Sequence, residues 1–411
     1  MKTNLDRIKN DIEELAKFNS SIDGGLTRFS LTPEDRMARD YLKSELQKLN
    51  LEIYEDTAGT IFGRREGTDK NAKAILLGSH FDSVKNGGNF DGPAGVVMAL
   101  EIMRALDENN ISLKNPIEFV AMIEEEGGRF GSGVFASRAM VGLVDYAQLE
   151  RNKDKDGISM ADAFRKFGFD PTKIEEAKKD KEKIKAFIEL HIEQGPILEK
   201  ESKDVGIVEF IVGINEFKVT ISGKADHAGT TPMDMRSDSV LAASKVISKT
   251  AEYAMAEKNG TVVTVGFLEV KPGATNIVAK EAIFTVDIRS KSRKSIETVK
   301  AKIIKDLETI TKETATNFEI LEMLNADPVE MNPSIVEMFK KSAEEIDLSY
   351  KMMISGAGHD AMIMSQITDV GLVFVPSKGG KSHSKDEWTD YDQLQKGIEL
   401  VYETVIKLGE E

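Results

Sequence analysis

Five histidines, His80, His191, His227, His359 and His383, are the only imidazoles in this 411-residue sequence, and cysteine is absent. Without thiols there is no disulfide, no thiol nucleophile and no cysteine-type structural zinc. Any metal must therefore sit on imidazole and carboxylate, the ligand set of a catalytic centre. So few histidines would ordinarily be scattered over a surface. Instead, His80 follows the apolar run 75–78, His191 follows the run 187–190, and His383 comes shortly after the run 372–375. The acidic triplet Glu124-Glu125-Glu126 likewise ends the run 117–123. Three consecutive glutamates make little sense as core. In an open α/β sheet, ligands bind beyond the carboxyl ends of the strands.

Asp91 lies in the glycine-rich turn Gly87-Gly88-Asn89-Phe90-Asp91-Gly92-Pro93-Ala94-Gly95, ahead of an apolar helix. It reads either as the N-cap of that helix or as a carboxylate held rigidly enough to bridge two cations. Asp82, two residues after His80, is placed to accept the second imidazole N–H and fix its tautomer. Two motifs carry nothing. Gly380-Lys381-Ser382 imitates the end of a phosphate loop whose first glycine would fall on Val375, and Gly131-Ser132-Gly133 does not directly follow a strand.

The elements that must position these groups are legible as patterns. Leu31-Thr32-Pro33-Glu34-Asp35 starts a helix running towards Leu49, with Thr32 as cap and Asp35 completing a capping-box-like pair. Met37, Tyr41, Leu42, Leu46 and Leu49 fall at helical spacing on it. The apolar runs at 74–77, 117–123, 187–190 and 372–375 alternate with helical stretches, which predicts a mixed, largely parallel α/β sheet covered by helices. From about 213 to 327 the texture changes. Phe217, Val219 and Ile221 alternate with Lys218, Thr220 and Ser222, and helices are expected at 237–258 and 292–312 with strands at 261–270 and 282–289. This predicts a smaller α+β domain of two strand–helix units at 213–327, inserted into a catalytic domain formed by 1–212 and 328–411. The Lys/Glu-rich stretch 175–185 reads as an exposed helix.

Composition narrows the functional classes. A net charge of −15 lacks the basic footprint of nucleic-acid binding. No apolar run approaches the roughly 20 residues of a membrane helix. Charges punctuate the first 18 residues, which predicts an amphipathic helix rather than a secretory signal and a cytoplasmic protein.

The motifs Gly78-Ser79-His80-Phe81-Asp82-Ser83, Asp91-Gly92-Pro93-Ala94-Gly95, Glu125-Glu126-Gly127-Gly128-Arg129-Phe130 and His191-Ile192-Glu193-Gln194-Gly195-Pro196 occur in that order. They continue with Ala225-Asp226-His227-Ala228-Gly229-Thr230-Thr231-Pro232-Met233, Gly356-Ala357-Gly358-His359-Asp360-Ala361 and Ser382-His383-Ser384. Together they resemble the M20 metallopeptidase clan along essentially the whole chain, and within it the hydantoinase/carbamoylase-type amidases. The resemblance implies two divalent ions per subunit, zinc first and manganese, cobalt or nickel as other fits. One would sit on His80 and His191, the other on Glu126 and His383, with Asp91 bridging and Asp82 behind His80. It implies Glu125 as general base, acting on a water whose pKa two cations draw towards ~7. It further implies a homodimer through the inserted domain, a lid that closes over the catalytic domain, with His227 reaching the partner subunit's site to stabilise the oxyanion.

Arg289 shares the polar face of one strand with Thr285 and Asp287. By spacing alone it is a surface arginine; the resemblance makes it a clamp for a substrate carboxylate. Gln194, Asn276 and His359 join it as substrate contacts. The implied reaction is hydrolysis of an N-carbamoyl-L-amino acid, with allantoate as the alternative ureido substrate and a peptide or N-acyl amino acid as a third. A degraded site that merely binds would lack a ligand or Glu125, and neither is missing.

Overall fold

A computed structural model describes residues 2–49 and 51–410; Met1, Asn50 and Glu411 lie outside the described residues. Chain order runs through β1 (Glu52–Glu55), β2 (Ile61–Arg65), β3 (Ala74–His80), β4 (Ile117–Met122), β5 (Ile184–Ile192) and β6 (Val205–Ile211). Then come β7 (Gly213–Ser222), β8 (Val262–Thr264), β9 (Leu268–Lys271), β10 (Glu281–Ser290), β11 (Asn317–Ala326) and β12 (Val329–Glu330). The chain ends with β13 (Tyr350–Ser355) and β14 (Asp369–Val375) ahead of the helix Tyr391–Glu410. It divides into two compact units, Met1–Glu209 with Met331–Met353 and Gly358–Glu411, and Phe210–Glu330 with Ile354–Ala357.

In the first unit the strand order is β1-β2-β4-β3-β5-β14-β6, with β13 also on β6. The four central strands β4, β3, β5 and β14 are mutually parallel, and β1, β2 and β6 add antiparallel edges. Every residue of β3 and β4 is buried, as is all of β14 but its first residue. That explains why these strands read as continuous apolar runs. Because they are parallel, their carboxyl ends share one edge. There His80 closes β3, Glu124-Glu125-Glu126 follows β4, His191 lies one residue from the end of β5, and the His383 loop follows β14.

The helix Pro93–Glu108, buried from Pro93 to Leu106, packs on this sheet. The helix Pro33–Gln47 starts as its sequence predicts: Thr32 accepts from the Asp35 amide, and the Asp35 carboxylate accepts from the Leu31 amide. Met37, expected on its inner face, is 45% exposed. The amphipathic N-terminal helix spans Leu5–Lys17 and buries Ile8, Ile12 and Leu15. The Lys/Glu-rich stretch is not a helix of the expected kind. It forms two short 3-10 segments, Pro171–Ala177 and Lys181–Lys183, before β5 begins at Ile184. Each starts at an aspartate, Asp170 or Asp180, whose carboxylate accepts a nearby amide, a local bond that competes with α-helix. No described helix is long and apolar enough to cross a membrane.

The second unit holds a sheet in the order β11-β7-β10-β8, with β9 also on β10. The single strand expected over 261–270 is two, β8 and β9, interrupted around Val265-Gly266-Phe267. Phe217, Val219 and Ile221 of β7 and Phe284, Val286 and Ile288 of β10 point to one face. There they pack with Ala242 and Val246 of the helix Ser239–Ala256 and with Val299, Ile303 and Leu307 of the helix Arg293–Glu313. Each such aromatic or branched side chain contributes roughly 1.5–3 kcal/mol on burial. The opposite face keeps Lys218, Thr220, Thr285, Asp287 and Arg289.

Candidate metal centre

Asp91 lies at the middle of the strand-end cluster and is 4% exposed. It does not cap the following helix: Gly92 occupies the N-cap, with no side-chain cap bond. The carboxylate is free for other work. Its Oδ1 lies 3.1 Å from His191 Nε2 and 3.6 Å from His80 Nε2, and its Oδ2 lies 3.2 Å from His383 Nε2. Gly92 has φ +80 and passes so close to His80 that a Cβ there would lie 2.4 Å from the imidazole ring. Only glycine permits both the backbone and the approach.

Both buried imidazoles are oriented from behind. His80 Nδ1 is 3.2 Å from the Asp82 carbonyl, and His191 Nδ1 is 3.0 Å from the Ile192 carbonyl. Those acceptors take the Nδ1 proton and turn both Nε2 atoms toward Asp91. The Asp82 carboxylate stands slightly further from His80 Nδ1, at 3.5 Å, and has a second task. Its two oxygens accept the Glu125 and Glu126 amides, fixing the acidic turn to the His80 loop. Glu125 Oε2 lies 3.8 Å from His80 Nε2, and Glu126 Oε1 lies 3.3 Å from His383 Nε2.

Among the described residues, three triads of donor atoms could hold a cation. Those of His80, Asp91 and His191 lie within 4.8 Å of one another, as do those of Asp91, Glu126 and His383 and those of His80, Glu125 and Glu126. The electrostatics ask for positive charge. Burial and the neighbouring Glu126, Asp360 and Asp82 push Glu125 well above the usual carboxylate range, although His80 opposes them. Burial would lower His80, yet Glu125, Asp82 and Asp91 raise it well above an ordinary histidine. Hydrogen bonds to Asp91 and Glu126 raise His383 to about 10. Burial alone would raise Asp91, but the three imidazoles hold it well below its ordinary value. Glu126 Oε1, shielded from solvent, faces His383 Nε2 at 3.3 Å. Crowded carboxylate oxygens and imidazole nitrogens turned toward one another form a donor set that a divalent ion satisfies. The residues fit the implied group.

Other expected contacts divide between the units. Gln194, in a left-handed backbone conformation (φ +57), donates from Nε2 to Asp91 Oδ2 at 2.8 Å. His359, 2% exposed, sets its ring edge-on to His191 at 4.5 Å between centroids. Burial, with His191 and His80 nearby, keeps it well below an ordinary imidazole and neutral. His227, Asn276 and Arg289 belong to the second unit. His227 Nδ1 accepts the Gly229 and Thr230 amides, so Nε2 carries the proton and points a donor outward. The Ala228 amide donates to the Asn276 carbonyl, pairing the two loops. Arg289 is held by Asp287 through Nε and Nη2, and by the Gly356 carbonyl through Nη1 at 2.7 Å.

Sequence reasoning passed over three supporting residues. Glu189, inside β5 and fully buried, accepts from Ser79 Oγ at 2.7 Å and from the Ala361 amide at 2.9 Å. A charge within an otherwise apolar run was the available signal. Ser382 and Glu387 bond to Asp91 and its turn; Ser382 stood in the motif around His383 without a role, and no local pattern announces Glu387.

Fold and centre define a class. The family model described as Peptidase family M20/M25/M40 matches residues 76–407, and the chain belongs to that family. It is 42% identical over 400 residues to the N-carbamoyl-L-amino-acid amidohydrolase of Paenarthrobacter aurescens, covering 97% of each chain. It is 33% identical to the allantoate amidohydrolase of Bacillus subtilis, covering 97% of this chain and 96% of that one. Its fold is similar to that of a hydantoinase/carbamoylase-family amidase from Burkholderia multivorans, with a TM-score of 0.91 at 30% identity. That match covers 100% of this chain and 98% of the other.

Proposed function

We propose that the chain hydrolyses N-carbamoyl-L-amino acids to the L-amino acid, carbon dioxide and ammonia. The observation that carries this reading is Asp91, whose two oxygens face three imidazoles beside the largely covered Glu125. The substrate class rests on likeness to the Paenarthrobacter aurescens amidohydrolase. His80, His191 and Asp91 would hold one divalent ion, and Glu126, His383 and Asp91 a second. Zinc suits these donors, as do manganese, cobalt and nickel. When bound, such ions polarise the ureido carbonyl and ease deprotonation of water.

The remaining work falls to side chains. Glu125 takes the proton from the attacking water and delivers it to the departing nitrogen. Water oxygen bonds to the ureido carbon, the bond to the terminal nitrogen breaks, and ammonia leaves. The carbamate left on the amino acid then loses carbon dioxide. His227, with Nε2–H as donor, stabilises the oxyanion from the partner subunit of a homodimer formed through the second unit. Arg289 grips the substrate carboxylate, aided by Asn276, and Gln194 and His359 contact the ureido group. The second unit, corresponding to the inserted domain, acts as a lid that closes on substrate.

Allantoate is the second reading, supported by the Bacillus subtilis relative. It too joins a ureido group to a carboxylate, so the same residues serve. The test is ammonia release by metal-reconstituted enzyme from a panel of N-carbamoyl-L-amino acids and from allantoate. Preference for the panel supports the first reading, preference for allantoate replaces it with the second, and no ammonia from either sinks both.

A further inference from the structure

His383 differs from the other imidazoles of the centre. The His80 and His191 side chains are 1% and 3% exposed and sit on strand ends, whereas that of His383 is 50% exposed on a loop. Its backbone is left-handed, φ +53, an uncommon conformation for a side chain with a Cβ. Packing does not hold it, so something else must set its distance from Asp91.

Glu387 supplies the link. It is 5% exposed, and its Oε1 accepts both the Phe90 and Asp91 amides at 3.0 Å. Its Oε2 lies 3.1 Å from the hydroxyl of Ser382, the neighbour of His383, and that hydroxyl is also 2.9 Å from Asp91 Oδ2. The Glu387 amide donates to the Ser384 carbonyl, closing the loop around His383. On the other side, Gly88 leaves room for this carboxylate: a Cβ there would lie 2.1 Å from Glu387 Cδ. Phe90 packs against Trp388 and Tyr391, with centroids 5.3 and 5.8 Å away, so the same two segments are also joined by aromatic contact.

We infer that Glu387, acting through Ser382, is a positioning residue that sets the His383 loop against the Asp91 turn and so determines affinity at the second cation position. The inference rests on the reading that Asp91, Glu126 and His383 hold that ion. Outer partners of metal ligands typically control about 10–100-fold in affinity.

The test is calorimetric titration of the metal-free full-length chain with Zn2+. Wild type takes up two equivalents. E387A binds the first as wild type does and the second about 10–100-fold more weakly. E387Q restores the second, because its amide oxygen still accepts both amides and its NH2 donates to Ser382. S382A, which leaves both amides satisfied, weakens the second ion selectively and decides the matter should E387A fail to fold. The inference is overturned if the single-site variants bind both ions like wild type, if both ions weaken equally, or if E387Q is no better than E387A. Wild type that binds fewer than two ions overturns the two-ion reading itself, and this inference with it.

Discussion

His80 Nε2 lies 3.8 Å from Glu125 Oε2 and 3.6 Å from Asp91 Oδ1, so one imidazole edge faces both the carboxylate proposed for acid–base work and the one proposed to bridge. Separating the two roles is the first test. E125Q keeps shape and burial but cannot cycle a proton. Its kcat should fall about 10²–10⁴-fold, while bound metal and thermal midpoint stay as in wild type. Turnover at the parent rate would remove Glu125 from the mechanism.

Metal removal gives a second outcome. Exhaustive chelation should abolish activity and lower the thermal midpoint, and adding a divalent ion back should restore both. An ion at 100 times its Kd contributes about 2.7 kcal/mol to the folded state. A midpoint indifferent to metal would contradict a site built from these residues.

Arg289 is already held by Asp287 and the Gly356 carbonyl, which orders the guanidinium before any ligand arrives. R289A should raise KM on the order of 10–100-fold with a smaller change in kcat, since a charge-assisted hydrogen bond is worth about 1.5–3 kcal/mol. R289K should not rescue it, because lysine lacks the planar fork. Unchanged KM in R289A would exclude the carboxylate clamp.

Gly92 passes a methyl's width from His80, and its φ of +80 disfavours any other residue. G92A should cost about 1–3 kcal/mol in unfolding free energy and weaken metal binding by displacing His80. Wild-type denaturation and metal content in G92A would show that the turn has slack.

Asp56 provides a separate pH signature. Burial raises it to about 6, against the opposing pull of Lys179 and of the Thr60 and Ala58 amides. Its Oδ2 is shielded and unpartnered, although the residue as a whole keeps some exposure. The folded state thus binds this proton more tightly than the unfolded chain, whose aspartates titrate near ~3.9. The associated stability is complete below about pH 4 and is lost as pH rises through about 6. Wild type should therefore lose up to about 3 kcal/mol relative to D56N across that window. Parallel denaturation curves at pH 4 and pH 7 would refute the assignment.

Much of this was legible in the sequence because the informative patterns are local. Strands buried on both faces write themselves as unbroken apolar runs, and the polar residues that end them, His80, Glu124-Glu125-Glu126 and His191, stand out by contrast. The Thr32 and Asp35 pair announces its helix because capping is settled within four residues. The flanking strands β1, β2, β6 and β13 are shorter or partly exposed, and their mixed composition hid them. β11, with Leu321, Met323 and Leu324 exposed, lacks the clean alternation of β7 and β10.

The sequence by itself determined the donor types, their order and the parallel sheet edge that collects them, since residue chemistry and hydrophobic period are properties of neighbours along the chain. Only the tertiary structure decided that Asp91 abandons the helix cap and divides its oxygens between His191 and His383. It also decided that Asp82 grips the Glu125 and Glu126 amides, and that Glu387 holds the Asp91 turn from nearly three hundred residues away. Such pairings depend on which loops the packed strands bring together and on the rotamers that packing allows. No local pattern of side chains carries that information.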